Sequence, residues 1–224
     1  MSNIKSRLIG FSPKAPCRKG DMRVKQATRV TGKAGYHHGD LRQQLVKATR
    51  ELIEEKGAEA FSVSEACRRA GVSTAAPYRH FGDKTDMVAA VILEGMAEMT
   101  ARLHAAAALF PHGSIEGIAA SGAEYVAYAE THPTLFRLMF AENSGRADVE
   151  EAGHTCYSGL LMQVAAYLGK DAVDEEVLTV SFPLWTFVHG LSFLRIDGKA
   201  EFARMHMPVA DLVSDATRRL LTGR

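Results

Sequence analysis

Between Phe61 and Lys84 the chain reads FSVSEACRRAGVSTAAPYRHFGDK, two helix-sized pieces of about eight residues separated by a single glycine. Pieces this short are marginal as isolated helices and hold only when packed on something else. Their ends are marked by local chemistry. Ser62 and Glu65 have the spacing of a capping box, in which each side chain satisfies a backbone N–H that the first turn would leave unpaired. Gly71 permits the left-handed residue that stops the helix after Ala70. Ser73 is placed to cap a third helix running from Thr74 to about Phe81, and Gly82 ends it. Two short helices joined through a glycine turn form a helix-turn-helix unit.

The apolar residues of this unit divide its surface. Val63, Ala66, Cys67 and Ala70 can face a preceding helix, in which Leu41, Leu45, Ala48, Leu52 and Ile53 recur at helical spacing between Asp40 and Gly57. Val72, Pro77 and Phe81 can face the same core, with the proline costing at most one intrahelical bond so near the helix start. Ser73, Thr74, Ala75, Tyr78 and Arg79 then point outward. That face suits the major groove of DNA: Arg79 can bond guanine O6 and N7, and the methyls of Thr74 and Ala75 can meet a thymine methyl. Ser73, Tyr78, His80 and Lys84 are better placed for phosphates, which fix register without reading sequence.

Charge along the chain agrees with a polyanionic partner. A net charge of +1 conceals nine Lys or Arg against one Asp in residues 1–35, and ten basic against seventeen acidic residues in 87–224. Residues 1–35 read as a flexible basic arm that strengthens attraction to DNA. Residues 36–86 read as the helix-turn-helix domain, and 87–224 as a second helical domain. The three cysteines, Cys17, Cys67 and Cys156, lie far apart, so neither a disulfide framework nor a thiolate metal site is expected. His37, His38 and His132 lack partners at metal-ligand spacing, and no metal or other cofactor is expected. No run of about 18 consecutive apolar residues calls for a membrane, and a cytoplasmic protein is expected.

After Gly82, helices are expected from Asp83 to Leu109, from Ser114 to Ala129, from Pro133 to Ala141 and from Asp148 to Leu168. Two more should run from Asp174 to Ile196, kinked at Pro183, and from Pro208 to Leu221. The fold class is therefore all-α, with about nine helices.

The stretches YHHGDLR, FSVSEACRRAGVS and YRHF, with Lys84 opening the next helix, resemble the DNA-binding domain of the TetR family of bacterial transcriptional regulators. The match covers Tyr36 to about Val91 and departs from the family pattern at Pro77, where many members carry leucine. The resemblance implies that Ser62, Ser64, Tyr78, His80 and Lys84 lie near phosphates, and Thr74, Ala75 and Arg79 near bases. It also implies a second domain that pairs two chains and holds a small-molecule effector. WTFVHG, residues 185–190, is similar to a Trp and His-Gly signature of one TetR subgroup.

On that reading, Tyr125, Tyr128, Phe136, Met139, Phe140, Met162, Trp185 and His189 are the expected pocket side chains. The apolar stripe Val209, Leu212, Val213, Ala216 and Leu220, with Val188, Leu191 and Ser192 facing it, is the expected dimer interface. No nucleophile elbow, P-loop, zincin motif or glycine-rich turn after a strand is present, so an enzyme is not expected. The expected function is a homodimeric repressor that leaves a near-palindromic operator when its effector binds. The alternatives are an effector-independent architectural or interaction factor and a helical ligand-binding enzyme.

Overall fold

The computed structural model describes residues 38–141, 146–199 and 207–223, with side chains from Leu41 onward. The basic arm, Cys17, His37 and the side chain of His38 lie outside the described residues. Among those described there are eight α-helices, one 3-10 turn and no strand.

Helix α1, His38–Lys56, buries Leu41, Leu45, Leu52 and Ile53 along one face. It ends at Gly57, whose φ of 85° is left-handed and whose N–H bonds the Ile53 carbonyl at 2.8 Å. Helix α2, Val63–Ala70, starts from the expected capping box: Ser62 accepts from the Glu65 N–H, and the Glu65 carboxylate accepts from the Ser62 N–H at 2.9 Å. Gly71 closes α2 at φ 69°. Ala66 and Cys67 are buried in the same core as α1, as the small residues at that contact require for close approach. Two ion pairs tie the helices together on the outside, Lys56 to Glu65 at 2.5 Å and Arg69 to Glu55 through both guanidinium nitrogens.

The third helix of the unit differs from the expectation. Residues 74–76 form turns and only Pro77–Arg79 is helical, as a 3-10 turn. The reason lies in hydrogen-bond bookkeeping at Pro77. A helix capped by Ser73 would make its first α-type bond from residue 77 to the Ser73 carbonyl, and proline has no N–H to give. Ser73 takes the Ala76 N–H instead, at 3.0 Å, and the tighter pattern continues with Arg79 to Ala76 and His80 to Pro77.

Helix α3, Lys84–Ala107, is capped by Asp83 and is the long rod of the molecule. Met87, Val91, Ile92, Met96 and Met99 are buried along it in one continuous core that also holds Leu45 and Phe61 of the preceding unit. Position 86/87, the expected boundary, lies in the first turn of α3, and among the described residues the core continues across it. Gly95 lets the next layer come close, since a Cβ there would lie 2.9 Å from Leu135 Cδ2.

Helices α4 (Ile115–Thr131), α5 (Pro133–Met139), α6 (Ala147–Tyr167), α7 (Glu175–Ile196) and α8 (Val209–Thr222) complete the fold. Ser114 and Asp174 cap α4 and α7 through their side chains, and Pro133 opens α5. Helix α4 is the central element, packed on α3, α7 and α8. Helix α7 runs on through Pro183, which lies on its exposed side. By length and composition α7 could cross a membrane, yet in this fold it packs on α4, α6 and α8.

Candidate nucleic-acid interface and inner cavity

Pro77 and Phe81 are both buried, and they anchor the segment between them to the core. Ser73, Thr74, Ala75, Tyr78 and Arg79 are exposed, with Tyr78 at 65 %. The 3-10 turn therefore presents the same side chains outward that a regular helix would have presented. Four of the sequence-predicted polar residues are also engaged within the chain. The Ser62 hydroxyl bonds Glu65 and lies 3.1 Å from the Ser64 hydroxyl. Lys84 donates to the Glu59 carbonyl at 2.8 Å, and its ammonium sits 4.7 Å from the Phe61 ring centroid. His80 is half-buried at the edge of Phe81. One residue of this surface was missed on sequence: Arg42 is exposed in the first turns of α1 and its guanidinium stacks 5.3 Å from the Phe81 ring. Its place in the YHHGDLR stretch was the available signal.

Behind this surface, α3, α4, α6, α7 and α8 enclose a cavity of about 100 Å³. Met96, Leu103 and Ala107 of α3 line it, as do Tyr125, Phe140, Cys156, Tyr157, Trp185 and Val188. Of the expected pocket residues, Tyr125, Phe140 and Trp185 are there. Tyr128, Phe136 and Met139 are instead buried in the core, and Met162 points to solvent at 48 % exposure. His189 stands one layer back: its Nδ1 and the Tyr125 hydroxyl are hydrogen-bonded at 2.9 Å, and its ring packs on Trp185 and Phe140. The WTFVHG run thus supplies a wall, Trp185, and the group that holds a second wall, Tyr125. The missed half of the lining comes from α6 and from glycines: Gly122, Gly153 and Gly159 bring bare backbone to the space. A Cβ on Gly159 would lie 2.6 Å from His104 Nε2, so the glycine gives the imidazole its place at the rim.

Burial pushes the Tyr125 phenol far above its usual range and the Cys156 thiol upward, so neither ionises near neutrality. Burial also lowers His189, and burial followed by the charge of Arg50 lowers His132. A free imidazole titrates at about 6.5, so just below that pH the unfolded chain binds more protons than the folded one. This part of the stability is complete above about pH 6.5 and is lost as pH falls toward the lower folded values. The thermal midpoint should fall on acidification from about pH 7 to about pH 5.5, and His189→Phe should flatten that dependence.

The expected dimer stripe is largely internal. Val188, Leu191, Ser192 and Val213 are buried in the chain's own core, with Ser192 bonding the Val188 carbonyl; Val209, Leu212 and Ala216 are half-buried. Only Leu220 is exposed, at 43 %. The apolar surface of α7 lies on its other side, where Leu178, Phe182 and Leu194 are exposed at 47 %, 56 % and 48 %. The reason is that α7 is apolar all round, so spacing alone does not distinguish its inner from its outer face. Among the described residues no group of three or more His, Cys, Asp or Glu could hold a metal ion.

An exposed reading turn fixed to a helical body with an inner cavity defines a DNA-binding regulator of the helix-turn-helix class, and comparison with known proteins agrees. Residues 45–91 match the profile of bacterial regulatory proteins of the tetR family, and residues 118–220 match that of the tetracyclin repressor-like C-terminal domain. The chain belongs to the TetR family and is a DNA-binding transcriptional regulator.

Solved structures share the fold. A protein with unknown function from Rhodococcus sp. RHA1 is 28% identical, with a TM-score of 0.72 over 85% of this chain and 98% of that one. A tetR-family transcriptional regulator from Streptomyces coelicolor is 15% identical, with a TM-score of 0.65 over 81% of this chain and 79% of its own. The regulator FadR from Bacillus subtilis, solved in complex with stearoyl-CoA, is 15% identical with a TM-score of 0.55, covering 81% of this chain and 98% of its own. No curated protein gives a significant match.

Proposed function

We propose that the chain is a homodimeric repressor, acting in the cytoplasm, that leaves its operator when a small molecule enters the inner cavity. One observation carries this reading. Helix α3 begins beside the exposed turn, with Lys84 in its first turn, and lines the cavity through Met96 at its middle and Leu103 and Ala107 at its far end. A rigid rod with a ligand space at one end and a reading head at the other gives both sites a shared element to bias, as coupling requires. An architectural factor without an effector has no use for such a space.

Two chains pair through the outer face of α7 together with Leu220 and Ala216 of α8. Leu178, Phe182, Thr186, Gly190 and Leu194 recur every four residues and are all exposed, which leaves a largely apolar helix with one side uncovered. Pairing sets two reading turns on successive major grooves, about 34–36 Å apart, on a near-palindromic operator. Thr74, Ala75 and Arg79 face bases, and Ser64, Ser73, Tyr78, His80 and Lys84 face phosphates, with Arg42 beside them. Ser62 contributes chiefly by capping α2, because its hydroxyl is already bonded.

Selection of bound sequences from a random duplex pool tests the reading. A symmetric consensus is the expected result, and no preference over random competitor would remove it. Within that consensus, Arg79→Ala should cost about 1–3 kcal/mol against the correct base and relax preference at one position per half-site. Lys84→Ala should weaken all sequences alike and lower the salt slope by about one. Uniform losses from both would show that Arg79 does not read bases.

A further inference from the structure

We infer that the effector is an uncharged molecule the size of one substituted aromatic ring, carrying a hydroxyl or similar polar group that reaches Thr217. The inference rests on the ligand-released reading above and names its ligand. Four aromatic side chains, Tyr125, Phe140, Tyr157 and Trp185, line the cavity, and no Asp, Glu, Lys or Arg is among its lining residues. An ionised group taken into such a space would leave its hydration behind and meet no counter-charge. The basic side chain at the site is His104, which is exposed at the rim.

Size sets the second limit. The space is about 100 Å³ and opens toward solvent beside His104, whereas drug-sized ligands occupy pockets of about 300–1,000 Å³; benzene already fills an engineered apolar cavity of about 150 Å³, so a single ring seated here projects its substituents into that opening. A long acyl chain with a nucleotide head exceeds it on both counts, so the stearoyl-CoA found in the Bacillus subtilis protein is the wrong class of ligand for this chain.

The polar anchor is a hydroxyl on the cavity wall. Thr217 of α8 lines the cavity and is 4 % exposed. A ligand hydroxyl that pairs with it inside this apolar space gains a hydrogen bond that an apolar ring of the same size lacks. Thr217 also lies on the helix whose Leu220 and Ala216 border the outer groove against α7, so a ligand at this end touches the element next to the proposed dimer face.

Trp185 is the single tryptophan of the chain, so its fluorescence reports occupancy of the cavity wall without DNA. The full-length protein is titrated with para-methylbenzyl alcohol, with its charged isostere para-methylbenzoate, with para-xylene and with stearoyl-CoA. The alcohol should give a saturable change, and the benzoate should bind at least about tenfold more weakly. Thr217→Val should weaken the alcohol about three- to tenfold and leave para-xylene unchanged.

Gly153→Leu fills the space from α6, where a Cβ meets nothing within 4 Å, and a helix interior prefers leucine to glycine. This variant should keep its helicity and thermal midpoint and lose the Trp185 response. Benzoate or stearoyl-CoA binding as tightly as the alcohol overturns the inference, as does a Trp185 response unaltered in Gly153→Leu. Operator release is read separately. Uptake of the alcohol without release supports the ligand class and removes the repressor reading, whereas release by stearoyl-CoA with no response to the alcohol overturns the ligand class alone.

Discussion

Phe182→Glu is expected to yield a folded monomer that binds its operator on the order of 10²- to 10⁴-fold more weakly, the loss that follows when two linked half-site contacts become independent. Phe182 is 56 % exposed in the single chain and stands one turn after Leu178 on the outer face of α7. In the proposed dimer it meets the same face of a second chain, because a two-fold interface brings one patch against itself. A glutamate there would bury two unpaired carboxylates at the symmetry axis, a cost that paired apolar surface does not offset. The monomer itself has little to lose: the ring makes one aromatic contact, with Trp185 at 6.1 Å. Sedimentation should show the change of mass, and circular dichroism and the thermal midpoint should stay close to those of the parent. A variant that remains dimeric and keeps operator affinity would place the interface elsewhere.

The outer face of α7 also marks where sequence reading stops. Helix starts were legible because each is settled within four residues: Ser62 with Glu65, Asp83 with Asp86, Ser114 with Gly117 and Asp174 with Val177 all make the bonds their spacing implies. The exposure of Thr74, Tyr78 and Arg79 was legible too, since Pro77 and Phe81 had to go inward. The 3-10 form of that segment was a matter of counting, as the residue required to donate to Ser73 is the proline. For α7 no such local rule exists. Val188 and Phe182 belong to the same apolar run, and only the positions of α4 and α8 send one inward and leave the other out. The cavity was harder still. A cavity is the place where side chains stop short, and it depends on Gly122, Gly153 and Gly159 of two different helices meeting across a gap.

Phe136 and Met162 were equal pocket candidates on sequence, and the fold predicts opposite outcomes for them. Phe136 is fully buried, and its ring packs on Tyr125 at 5.5 Å, Phe140 at 4.9 Å and Phe193 at 5.6 Å. Phe136→Ala removes the hub of this cluster and should cost about 3–5 kcal/mol. A domain of this size loses about 2–4 °C of thermal midpoint per kcal/mol, so a fall of roughly 6–20 °C is expected. Met162→Ala, at 48 % exposure, should stay within about 0.5 kcal/mol of the parent. Because Tyr125 and Phe140 lean on Phe136 and also line the cavity, Phe136→Ala should disturb the Trp185 signal even at temperatures where the chain is folded. A midpoint unchanged by Phe136→Ala would mean that the ring cluster between α4, α5 and α7 does not hold the body together, and the cavity it frames would lose its walls with it.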